Sequence, residues 1–144
     1  VGGGVGIAAA ADYTFATKHA SIKLSELAIG IGPFVVGPAV ERKLGTASFS
    51  ALAIDANSWR TANWAHTHGL FAEVFDDAES MDQAITDLAY RLASSSPDAM
   101  AELKRTFWKG TEDWGDLLEE RAATSGRLVL SEFTRAAIAK FKKS

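Results

Sequence analysis

The sequence predicts an α/β chain: two or three short strands near its start, then a mainly helical C-terminal region. Three observations predict it. A glycine loop, Val1-Gly2-Gly3-Gly4-Val5-Gly6, runs into Ile7-Ala8-Ala9-Ala10-Ala11, a compact helix-forming segment closed by Asp12. Two strand-like runs follow at once, Tyr13-Thr14-Phe15-Ala16-Thr17 and Ser21-Ile22-Lys23-Leu24. From Ser80 on, apolar residues recur at helical spacing, most clearly Met81, Ala84, Ile85, Leu88, Ala89 and Leu92.

The later elements are read in chain order. After the second strand comes a lone carboxylate, Glu26, and then Gly30-Ile31-Gly32-Pro33. Pro33 opens a helix over Phe34 to Leu44, with Gly45 as its C-cap, and Pro38 limits or kinks its first turn. Ala47 to Ile54 continues as helix. Asn57 or Ser58 caps a helix from Trp59 to His68 that ends at Gly69. Leu70 to Phe75 is a strand-like connector. Ser80 to Ala93, Pro97 to Lys109, a stretch from Thr111 or Asp113 to about Leu130, and Ser131 to Lys143 are helices. The break before Pro97 falls in Ser94-Ser95-Ser96.

Composition bounds the function. At 144 residues the chain is one domain's worth, enough to bury a core, and 47% apolar content is ordinary for a globular protein. A net charge of −3 favours neither nucleic acid nor an anionic membrane as partner. Without cysteine there is no disulfide and no thiolate metal site, which suits a cytoplasmic chain. The apolar run Val1–Ala11 is too short and glycine-rich to span a bilayer.

The chemistry concentrates in the first third. Consecutive glycines let another group approach the backbone closely. A helix beginning beside them leaves its first N–H groups unpaired, a place for a developing oxyanion. Glu26 lies just past a strand, held by a rigid element. A working acid there needs an apolar wall to lift its pKa, and Leu24, Leu27, Ile29 and Phe34 are at hand. The plainer readings are a packing loop and a solvated carboxylate. His66 and His68 fall on different helix faces, so no metal pair is expected, and His19 sits in an exposed turn. Trp59, Trp64, Trp108 and Trp114 read as core or subunit contacts. Glu73, Asp76, Asp77 and Glu79 read as a solvated face, and Lys140, Lys142 and Lys143 as cations at a helix C-terminus.

The order of these elements resembles the second half of the crotonase, or enoyl-CoA hydratase/isomerase, superfamily. Gly2-Gly3-Gly4 opening an Ala-rich helix, Asp12, Ala20 to Glu26, Leu27 to Pro33 and Leu44-Gly45 carry the resemblance. It extends more weakly to the C-terminus. It implies a partial ClpP/crotonase-like fold, with residues 1–45 forming the second half of the core and 46–144 a helical oligomerisation region. It also implies catalytic roles for Glu26, as acid/base, and for the Gly3 N–H, as half of an oxyanion hole. Gly2, Pro33 and Phe34 are the implied substrate-binding residues. The substrate is an acyl-CoA thioester reacting through a stabilised enolate, as a lyase or isomerase of fatty acid metabolism. Coenzyme A comes as part of the substrate, and no separate cofactor or metal is implied. The implied assembly is a homo-oligomer, a trimer or hexamer.

Two departures shape the expectation. Many hydratases carry a second glutamate where this chain has Gly6, which favours a proton-shuttling isomerase while leaving single-glutamate hydration open. The family's first half, with the other oxyanion donor and most coenzyme A-binding loops, is absent from this sequence, which opens inside the glycine loop, so this stretch alone is expected to be inactive. The alternative is a non-catalytic module that binds CoA esters or oligomerises.

Overall fold

A computed structural model describes residues 1–141. The described residues form seven α-helices, one 3-10 turn and four short strands. Helix α1 spans Gly3–Ala10, β1 Phe15–Thr17 and β2 Ser21–Ile22, and the 3-10 turn is Glu26–Ile29. Then come α2 (Gly37–Ile54), β3 (Arg60–Thr61), α3 (Ala62–Thr67) and β4 (Glu73–Phe75). The chain continues through α4 (Ala78–Ala93), α5 (Pro97–Phe107), α6 (Trp114–Val129) and α7 (Glu132–Phe141). Lys142 and Lys143 of the expected basic helix end lie outside the described residues. Lys140 is exposed in the last turn of α7.

Helix α1 starts four residues earlier than the sequence suggested, inside the glycine triplet. Gly2 takes a positive φ of 52° and caps the helix, and Gly3 and Gly4 form its first turn. Glycine disfavours helix by about 1 kcal/mol per residue, but burial of Val5, Gly6 and Ala9 offsets that cost. At the other end Lys43 Nζ donates to the carbonyls of Ala11 and Asp12 at 3.0 and 2.9 Å, meeting acceptors left over where the helix stops.

The strands pair in two separate ribbons, not with each other. β1 runs parallel to β4, with Ala16 opposite Val74, and β2 runs antiparallel to β3, with Ile22 opposite Arg60. β3 lies inside the segment expected to be helical. The helix there starts later because Thr61, not Asn57 or Ser58, is its cap: Thr61 Oγ1 accepts from the Trp64 N–H at 3.1 Å. Gly69 follows with φ 85° and turns the chain toward β4.

The helix expected from Pro33 starts at Gly37. Pro38 decides this. Four residues inside a helix it would clash with a carbonyl and lack an N–H, whereas at the first turn no N–H is needed. Gly45 ends the first half of α2 as expected, at φ 77° and ψ 158°, but helix resumes beyond it, so α2 is two helical pieces across a kink.

Val5, Ile22, Leu24, Val40, Leu52 and Leu70 centre the core, whose buried apolar residues, among those described, all lie at or before Phe71, with Val74 packed against them. Helices α4, α5 and α6 bury no residue completely. Their apolar stripes stay half open at Ile85, Leu103 and Phe107. The first two are well-capped all the same: Asp77 accepts from the Ser80 N–H at the start of α4 and Ser96 from the Ala99 N–H at the start of α5. Ser131 likewise accepts from the Thr134 N–H at the start of α7. A shallow groove of about 440 Å³ runs over Val5, Ala16 and Ile22. Among the described residues, no helix is long and apolar enough to cross a membrane.

Candidate functional site

The turn at Gly2 brings the two principal site residues to one place. The Gly2 N–H donates to the Lys23 carbonyl at 3.1 Å, pinning the glycine loop to the chain just before Glu26. A Cβ on Gly2 would lie 2.9 Å from Glu26 Oε1 and 3.6 Å from its Cδ, so the carboxyl group rests against the bare α-carbon. A side chain at Gly2 would collide with it, and the positive φ disfavours one independently.

Glu26 opens the 3-10 turn rather than ending a strand. Gly30 closes that turn at φ 83°, and the Ile31 N–H returns to the Glu26 carbonyl at 3.0 Å. The backbone bearing the acid is therefore tied at both ends. Its Oε2 is buried and has no hydrogen-bond partner among the described residues. Of the expected apolar wall, Leu24 is fully buried and Ile29 half-buried, but Leu27 points outward, 49% exposed. Leu27 falls on the outer side because the segment turns as a 3-10 helix instead of extending.

Gly3 occupies the first position of α1, and its N–H has no acceptor among the described residues. An unpaired N–H at a helix N-terminus, one residue from the contact with Glu26, can hold an oxygen that gains negative charge. Gly6, two residues past the triplet, is sealed: a Cβ there would meet Val36 Cγ1 at 2.6 Å and Val36 Cβ at 2.9 Å.

Pro33 and Phe34 lie elsewhere. They line a cavity of about 560 Å³ between α2 and the α5–α6 junction, whose lining contains neither Glu26 nor Gly3. Phe34 folds back over Gly32, where a Cβ would come within 2.5 Å of the ring. The structure thus separates the implied site residues into a pair of polar groups at Gly2 and a cavity wall at Pro33.

Three supports of this region have no signal in the local sequence, because each joins residues far apart along the chain. Asp12 accepts from Lys104 Nζ and from Trp108 Nε1, both at 2.6 Å, anchoring α5 to the end of α1. The Lys104 hydrogen bond, helped by Trp108, holds the Asp12 carboxyl below the usual carboxylate range. Arg42 lies over the Trp108 ring at 4.5 Å. At Gly30, a Cβ would meet Phe133 at 2.5 Å and Thr134 Oγ1 at 2.7 Å, and Thr134 is fully buried, so α7 sits directly on the turn that carries Glu26.

The remaining candidates are structural. His66 Nδ1 bonds the Phe71 carbonyl, and His68 Nδ1 bonds that of Trp64 and stacks on its ring. His19 is exposed. Trp64 packs on the core, Trp59 is 54% exposed beneath Lys23, and Trp108 and Trp114 meet edge to face. Asp76 pairs with Lys18, Glu73 accepts from Tyr13, and Asp77 caps α4. Among the described residues no cluster of His, Asp and Glu has the makings of a metal site.

A model of the enoyl-CoA hydratase/isomerase family matches residues 1–140. No curated protein matches. Among solved structures, an enoyl-CoA hydratase from Mycobacterium avium superimposes with a TM-score of 0.88 at 25% identity, covering 99% of this chain and 55% of that one. An enoyl-CoA hydratase/isomerase from Pseudoalteromonas atlantica T6c gives 0.88 at 19% identity, covering 99% and 57%. A carnitinyl-CoA hydratase from Mycobacterium avium gives 0.84 at 24%, covering 99% and 56%. The chain spans little more than half the length of each.

Proposed function

Because the chain belongs to the enoyl-CoA hydratase/isomerase family, we propose that it supplies one wall of an acyl-CoA site in which Glu26 moves protons and the Gly3 N–H holds the thioester oxygen. The observation that carries the reading is the junction at Gly2: an unpaired helix N–H at Gly3 beside a carboxyl group with one buried, unpartnered oxygen. Leaving such an oxygen unpaired costs about 1–3 kcal/mol, a cost proteins carry at working sites more readily than elsewhere. In the reaction, removal of a proton beside the thioester puts negative charge on its oxygen. The Gly3 N–H stabilises that charge, and Glu26 takes the proton and returns it to another carbon. Coenzyme A enters as part of the substrate, and no further cofactor takes part.

A single acid favours isomerisation of the double bond, with hydration by one glutamate the other outcome within this class. The setting is fatty acid metabolism in the cytoplasm. The second oxyanion donor belongs to the half of the fold that this chain does not span, so the 144 residues by themselves are expected to turn over no substrate.

In the full-length enzyme, Glu26→Gln is expected to keep the fold and acyl-CoA binding while kcat falls by about 10²- to 10⁴-fold. Gln nearly matches Glu in shape but cannot accept and return a proton. Steady-state kinetics with a trans-2-enoyl-CoA and its 3-enoyl isomer check this, and undiminished turnover removes Glu26 from the mechanism.

A second reading, a module that binds CoA esters or assembles without catalysis, is favoured by the apolar surface left open at Val1, Ile7, Leu103 and Phe107. Activity in the full-length protein excludes it.

A further inference from the structure

The cavity beside α2 carries an electrostatic feature that an apolar acyl tail would not use. Arg42, Lys109 and Arg121 line it, against one acid, Glu41. Arg121 is half-buried, its Nε is shielded from solvent without a hydrogen-bond partner, and its guanidinium forms no ion pair among the described residues. Glu41 is partly engaged, accepting from Thr46 at 2.7 Å. The rest of the wall is apolar and aromatic, with Phe34, Phe49, Trp114 and Leu117. At about 560 Å³ the cavity has the size and the mix of apolar wall and few polar groups typical of small-molecule sites.

A guanidinium on a cavity wall without an ion pair is matched best by the two oxygens of a carboxylate, here through its terminal nitrogens, since Nε is shielded. We infer that this cavity binds an apolar chain ending in a carboxylate, with the carboxylate on Arg121 and the chain against Phe34, Phe49 and Trp114. That chemistry has two sources: the far end of a dicarboxylic acyl group on a thioester, or a free fatty acid. Only the first source rests on the function proposed above.

Trp114 lines the cavity, so its fluorescence reports occupancy without any turnover. Octanoate and 1-octanol differ only in the charged end, as do suberyl-CoA and octanoyl-CoA at the far end of the acyl chain. The charged member of at least one pair is expected to bind roughly ten- to a hundredfold tighter, the range for a hydrogen bond to a charged group. Arg121→Met should close that gap. A gap in the CoA pair identifies the acyl source, and a gap confined to the free pair identifies the fatty acid. Should Arg121→Met fail to fold, Arg42→Met/Lys109→Met, on exposed side chains, must narrow the same gap. Equal binding within both pairs, or a gap that survives these substitutions, overturns the assignment. Glu26→Gln should leave the gap unchanged, so failure of the proposed mechanism and failure of this site are read separately.

Discussion

Gly6 shows how a single missing side chain is built into its surroundings. The position where the family resemblance implies a second acid is filled by Val36, whose β-branched side chain has little rotamer freedom to withdraw. Gly6→Glu alone is therefore expected to destabilise the fold by about 1–3 kcal/mol, the usual cost of overpacking. Gly6→Glu/Val36→Gly removes the clashing atoms and should recover most of that loss in a denaturant titration. If the single acid is what limits the full-length enzyme to isomerisation, only this double variant gains hydration, seen as a 3-hydroxyacyl-CoA product by chromatography. A double variant no more stable than the single one would show that Val36 is not the obstacle.

At the scale of elements, the C-terminal helices are held to the core by a few specific ties. Gly30→Ala tests the seat of α7. The substitution meets a positive φ and two side chains within 3 Å, so a loss of about 1–3 kcal/mol is expected from strain and overpacking together. An unchanged denaturant midpoint would mean that α7 is not seated there. The Asp12 tie tests α5. Its carboxyl is held below the usual range, chiefly by Lys104, so the folded value lies under the unfolded value of about 3.9. The stabilisation is thus complete above roughly pH 4 and is lost as pH falls through the folded value. Trp108, which donates to Asp12, reports the loss. Its fluorescence should change in acid below about pH 4, and in Asp12→Asn the altered signal should already be present at neutral pH. A transition centred at or above pH 5 in the wild type would contradict this assignment.

At the scale of the molecule, the core is concentrated before residue 72, while the apolar stripes of α4 and α5 and the groove over Val5 and Ile22 remain open. Covering even a few hundred Å² of such surface contributes several kcal/mol at roughly 25 cal/mol per Å². The chain is expected to associate, most simply as a trimer or a multiple of it. Sedimentation equilibrium at micromolar concentration checks this, and a stable monomer would contradict it.

The sequence by itself determined the features whose cause is local. The helical spacing of Met81 to Leu92, the cap at Ser131 before α7 and the strand character of Phe15–Thr17 all rest on interactions within a few residues, and all were legible. So was the succession of glycine triplet, Ala-rich helix and Glu26, which announced the family. Tertiary structure decided whatever depends on partners far along the chain. It set the pairing of β1 with β4 across more than fifty residues, the start of α1 within its own glycines, and the 3-10 turn that turns Leu27 outward. It also brought Glu26 against Gly2 and set Arg121 on a cavity wall without an ion pair among the described residues. The physical reason is the same in each case: burial and electrostatic pairing are set by neighbours in space, and local propensities of about 1 kcal/mol per residue yield to them.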